Sequence, residues 1–142
     1  MSKNYKFINH TADIAAKLEG STLEEMFTAG AEAWLFSVVD NKNLVADDLL
    51  DIDISANSKE ELLVSFLNEL NFLIITKRWL SLSIQSIKIF EDSDLFEVSA
   101  ELNGIKLQKD FELKHEIKSV TYHQMAITKK KNLYSTRVVF DI

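Results

Sequence analysis

Leu50-Asp51-Ile52-Asp53-Ile54-Ser55-Ala56 alternates apolar and polar residues without a break, the pattern of a strand with one buried face and one wet face. Asp51 and Asp53 then point to solvent. Directly after it the period changes. Ser58 and Glu61 form a capping box, and Leu62, Leu63, Phe66, Leu67, Leu70, Leu73 and Ile74 recur at three and four residues. That spacing is the apolar stripe of an amphipathic helix. A half-buried strand leading straight into such a helix suits a sheet with helices packed on a face.

Working outward toward the N-terminus, Leu23, Met26, Phe27, Ala31, Trp34, Leu35 and Val38 make a second helical stripe, started by a Ser21/Glu24 capping box. Before it, residues 4–9 and 13–19 read as short strands joined by His10-Thr11-Ala12. Toward the C-terminus, strands are predicted over 82–90, 95–102 and 105–111, with Phe96, Val98, Ala100 and Leu102 facing the core. Glu91-Asp92-Ser93-Asp94 separates the first two. Asn103-Gly104 separates the second and third, because this dipeptide favours the positive φ angles of a type I′ turn. A last pair, 117–128 and 133–142, closes around Lys129-Lys130-Lys131-Asn132. This order predicts an α+β fold, a mainly antiparallel sheet carrying two amphipathic helices, and not a doubly wound parallel sheet. With no proline, three glycines and no fixed-period repeat, residues 1–142 are expected to form a single domain.

Composition narrows the function. At 142 residues, 46% hydrophobic and 27% charged, the chain has the balance of a globular protein. No apolar run approaches the roughly 20 residues of a membrane helix and no signal peptide opens the chain, so a cytoplasmic location is expected, with no membrane partner. The absence of cysteine excludes thiolate metal sites, disulfides and cysteine nucleophiles. A net charge of -6 disfavours direct nucleic-acid binding. The lysine run beside Asn132 reads as a solvated turn between strands.

Along the last strand Tyr134, Thr136, Val138, Phe140 and Ile142 share one face, and Ser135, Arg137, Val139 and Asp141 the other. A packed strand ending there holds the Asp141 carboxylate close to the terminal carboxylate on Ile142. The two repel, and a cation relieves the repulsion. Spacing alone leaves a solvated charge at a frayed terminus as the plainer reading, although Phe140 and Ile142 would then lie in water. Asp13 follows the His10-Thr11-Ala12 turn and reads either as a metal ligand or as a carboxylate capping local backbone amides. His10 and His123 read as donors orienting those carboxylates or as core histidines with satisfied hydrogen bonds. No serine stands in an elbow motif and no Ser-His-Asp set is spaced for catalysis. Without thiols or paired helical histidines, a hard cation on oxygen ligands is the favoured metal.

Two segments carry a family resemblance. Phe7-Ile8-Asn9-His10-Thr11-Ala12-Asp13-Ile14 resembles the opening motif of the archeases. Ile117-Lys118-Ser119-Val120-Thr121-Tyr122-His123-Gln124-Met125, followed by Arg137-Val138-Val139-Phe140-Asp141-Ile142, resembles the family's ending. The resemblance implies an accessory protein, not an enzyme, that promotes guanylylation and multiple turnover of an RtcB-type tRNA-splicing RNA ligase. It also implies a metal site, for calcium, on Asp13, Asp141 and the terminal oxygens of Ile142. Asn9 stands where the family often has an acid, leaving one fewer charge near the cation. Two rival readings accompany it: a chaperone-like scaffold binding proteins through exposed apolar surface, and a metal-dependent hydrolase using the same carboxylates with His123.

Overall fold

The computed structural model describes residues 3–8, 13–40, 43–121 and 126–142. Among them the element order is β1 (Lys3–Ile8), β2 (Ile14–Gly20), α1 (Leu23–Val38), β3 (Asp48–Ala56), α2 (Lys59–Lys77), β4 (Trp79–Asp92), β5 (Leu95–Lys106), β6 (Ser119–Thr121), β7 (Thr128–Lys130) and β8 (Leu133–Asp141). The fold is α+β with antiparallel pairing, as the sequence predicts. The expected sheet is two sheets. One runs β1-β2-β8-β6, with β7 also pairing β8, and the other runs β3-β5-β4. Local apolar period sets which residues are strands, but partners far apart in sequence set how strands divide between sheets.

Each helix touches both sheets. α1 packs on β1, β2 and β8 and also meets β4, while α2 packs on β3, β4 and β5 and also meets β6. One apolar cluster therefore runs through the helical layer, with Leu18, Phe27, Trp34, Phe66, Leu70 and Phe140 fully enclosed. The Phe27 and Phe66 rings join the helices at 5.6 Å between centroids. All seven residues of the predicted α2 stripe are buried, each contributing about 1.5–3 kcal/mol relative to exposure. In α1, Met26, Phe27, Trp34, Leu35 and Val38 are buried, and Leu23 and Ala31 are half-buried.

The caps and hairpins refine the sequence reading. Ser58 caps α2 as expected, its side chain accepting from Glu61 N at 3.1 Å. α1 starts one residue later than the Ser21/Glu24 box. Thr22 is its cap, with Oγ1 accepting from Glu25 N at 3.1 Å, while Glu25 Oε1 accepts from Ser21 N at 3.0 Å. Serine, threonine and two consecutive glutamates offer both registers, and packing selects one.

Asn103-Gly104 is not a turn. Both residues lie inside β5, with Gly104 opposite Asp48 on one side and Ser81 on the other, and no glycine has positive φ among the described residues. Gly104 is there for space. A Cβ on it would lie 2.3 Å from Trp79 Cη2 and 2.6 Å from Leu80 O. Consequently the predicted strand over 105–111 reduces to the end of β5, and residues 107–118 cross the molecule without regular structure. That crossing is pinned by Leu107 N to Arg78 O at 2.7 Å, Arg78 Nη2 to Phe111 O at 2.7 Å and Lys114 N to Val38 O at 2.7 Å.

The predicted 117–128 strand divides into β6 and β7, and residues 122–125 lie outside the described set. The lysine run also divides. Lys129 and Lys130 belong to β7, while Lys131 and Asn132, at φ 51° and 64°, form the two-residue turn into β8. All four are exposed, in keeping with a solvated turn.

Candidate functional site

The site is set by how β2 enters its sheet beside the end of β8. The register pairs Gly20 with Tyr134 and proceeds to Ile14 with Phe140. The next residues at that end are Asp13, in the bend before β2, and Asp141, the last residue of β8. Directly opposed residues of antiparallel strands share a face. Ile14, Ala16 and Leu18 face the helices with Phe140, Val138 and Thr136, so Asp141, within β8, belongs to the outer face. Asp13 and Asp141 are both half-buried.

β6 completes the other flank. Ser119 pairs with Asp141, and Lys118 N donates to the Asp141 carbonyl at 2.7 Å. The end of β8 is thus held between strands on both sides. Phe140 is fully buried, which answers the fraying question raised by the sequence, while Ile142 keeps 38% exposure. β6 itself is anchored to α2 by Asn68, and the residues before it by Asn71. Asn71 is buried between Trp34 and the crossing segment, accepting from Trp34 Nε1 at 3.1 Å and donating to Ile117 O at 2.6 Å.

Of the predicted ligands, Asp13 directly precedes β2, Asp141 ends β8 and Ile142 follows it, all at the end of the sheet where Ile14 pairs with Phe140. His10 and His123 lie outside the described residues. Among the described residues no three histidine, aspartate or glutamate side chains cluster as a metal set. Carboxylate and main-chain oxygens are the donors a hard cation takes. Residues the sequence reading passed over are Asn68 and Asn71. Their signal is two amides three residues apart in the largely apolar run Phe66-Leu67-Asn68-Glu69-Leu70-Asn71-Phe72-Leu73, where Glu69 is the one charge.

A second surface adjoins this end. A groove of about 610 Å³ lies between α2 and the crossing segment, lined by Asn68, Phe72, Ile75, Glu116 and Lys118 among others. Phe72 and Ile75 are 49% and 40% exposed there. No helix among the described residues is long and apolar enough to cross a membrane.

Comparison with known proteins places this geometry. The model of the Archease protein family matches residues 5–142. The chain is 33% identical to protein archease of Methanosarcina barkeri over 141 residues, covering 99% of this chain and 97% of that one. It is 35% identical to protein archease of Pyrococcus abyssi over 129 residues, 89% of each. Among solved structures, the solution structure of a Methanobacterium thermoautotrophicum protein superposes with a TM-score of 0.81 at 28% identity, covering 97% of this chain and 98% of that one. The crystal structure of a Thermotoga maritima archease, described as a possible chaperone, gives a TM-score of 0.61 at 25% identity, covering 96% of each. A family-model match over residues 5–142, relatives at 33% and 35% identity and a fold shared at a TM-score of 0.81 lead to one conclusion: the chain belongs to the archease family.

Proposed function

We propose that this archease is a non-enzymatic activator of an RtcB-type tRNA-splicing RNA ligase, promoting its guanylylation and multiple turnover. The observation that supports the reading is the β2–β8 register, which ends with Ile14 opposite Phe140 and leaves Asp13 and Asp141 as the next residues at that end of the sheet. In this reading Asp13, Asp141 and the terminal oxygens of Ile142 hold a divalent cation, calcium, on hard oxygen ligands. The bound ion would supply a localised positive charge where two carboxylates otherwise repel. The protein's part is to hold the carboxylates rigidly, with Lys118 N fixing the Asp141 main chain and β6 flanking it. The partner is the ligase protein.

The test is ligase guanylylation followed over several turnovers with wild type and Asp141→Ala, after circular dichroism shows the variant folded. Loss of stimulation together with loss of calcium binding by calorimetry is expected. Undiminished stimulation rejects the reading.

A chaperone-like scaffold is the second reading, favoured by Phe72 and Ile75 exposed beside the α2 groove. It expects unrelated partners to be stimulated and Asp141→Ala to be silent.

A further inference from the structure

The outer face of the five-stranded sheet carries a second feature, four residues along the strands from the aspartates. The register places Lys6 opposite Lys17, and Lys17 opposite Arg137. Three cations thus stand in one row across β1, β2 and β8, and all three are exposed. Like charges directly opposed on neighbouring strands destabilise a sheet, so the row stores repulsion that an anion relieves.

The surrounding residues do little to neutralise it. Among the described residues one ion pair involves the row: Lys17 Nζ to Glu19 Oε2 at 3.9 Å, between partly exposed groups. The adjacent outer-face row toward the aspartates is Ile8, Ala15 and Val139, which is uncharged. The row on the other side is Asn4, Glu19 and Ser135, so Glu19 is the single carboxylate next to three cations. In a chain of net charge -6, this is a local reversal of sign.

We propose that the Lys6–Lys17–Arg137 row docks the backbone phosphates of a nucleic-acid strand. Neighbouring strands lie about 4.8 Å apart, so the row spans about 10 Å. That is too wide for one phosphate group and suits successive phosphates along a chain. Lys6, Lys17 and Arg137 are all exposed, so an extended strand can reach the three charges. Arg137 adds a planar fork that grips phosphate oxygens in pairs, while Lys6 and Lys17 act as point charges. The contact is to the backbone and carries no base recognition. This inference stands apart from the ligase reading, because it concerns the pure chain and a different row of the sheet.

The test is fluorescence anisotropy of a labelled single-stranded RNA oligonucleotide titrated with the full chain, without ligase, across a salt series. Three phosphate contacts on a single strand give a slope of log K against log salt of about -2. The double variant Lys6→Glu with Arg137→Glu, at exposed positions, is expected to weaken binding more than 10-fold at low salt and flatten the slope. The control Lys106→Glu with Lys109→Glu makes the same change in net charge at exposed sites elsewhere and is expected to change binding less than 2-fold. Equal losses in the two variants would reduce the effect to net charge and overturn the proposal. So would absence of RNA binding by wild type at low salt, or binding of a nucleoside triphosphate at the row with no binding of the oligonucleotide. Ligase stimulation by Asp141→Ala is read separately, so either idea can fail alone.

Discussion

Asn68 holds the backbone of Val120 as a neighbouring strand would: its Oδ1 accepts from Val120 N at 2.8 Å, and its Nδ2 donates to Val120 O at 3.0 Å. A three-residue strand has few ladder bonds of its own, so β6 relies on this amide to stay beside Asp141. Asn68→Ala removes both bonds and leaves partly buried backbone groups to find water, at a cost of about 1–3 kcal/mol. Asn68→Asp keeps the acceptor but faces the Val120 carbonyl with a second oxygen, and is expected to lose at least as much. Urea denaturation checks both, and an unshifted midpoint for Asn68→Ala would show that β6 is held by other contacts.

Gly104 offers a sharper case, because its neighbours leave no room for a methyl group. With Trp79 Cη2 at 2.3 Å and Leu80 O at 2.6 Å from the built Cβ, Gly104→Ala forces the indole and the β4 backbone to move. The expected loss is at the upper end of the 1–3 kcal/mol usual for overpacking, or about 3 kcal/mol. Trp79 also donates Nε1 to Asp48 Oδ2 at 3.0 Å, so its fluorescence reports the displacement directly. A variant with wild-type midpoint and emission maximum would contradict the packing account.

The β7–β8 turn is expected to respond in the opposite direction. Lys131 and Asn132 both sit at positive φ, the geometry of a type I′ turn, which glycine and asparagine adopt at low cost. Lys131→Asn relieves left-handed strain on the lysine and is expected to raise stability by about 0.5–1 kcal/mol, whereas Asn132→Val adds about 1–2 kcal/mol of strain. Thermal melts of the two variants should move in opposite senses.

Much of this architecture was legible in the residues themselves. Both helices follow from a 3.6-residue period that admits no other element, and β3 follows from strict alternation at Leu50–Ala56. The cap of α1 was misplaced by one because Ser21-Thr22 and Glu24-Glu25 satisfy the same chemistry in two registers. Asn103-Gly104 misled for a related reason. The dipeptide marks positive φ in many hairpins, but here glycine answers to the Trp79 ring, which approaches from a strand more than twenty residues away. The division into two sheets was hidden because strand partnership is a long-range property. In the site, the outward face of Asp141 could be read from alternation, while the pairing of β2 with β8 that brings Ile14 opposite Phe140 could not. Asn68 and Asn71 escaped notice because mid-helix amides usually face solvent, and nothing local says that a distant loop will cross them.

The place of β8 between β2 and β6 also has a consequence for how the molecule is made. Ile14 must wait for Phe140, and at a ribosomal pace of about 5–20 residues per second that wait is roughly 6–25 s. The β4–β5 hairpin and its neighbours can form while synthesis continues, whereas β2 emerges early and lacks its inner partner. The large sheet therefore assembles after translation of its final strand, through contacts of high sequence separation that slow folding. Until then the apolar side of β2 has the helices, and first of all α1, to pack against.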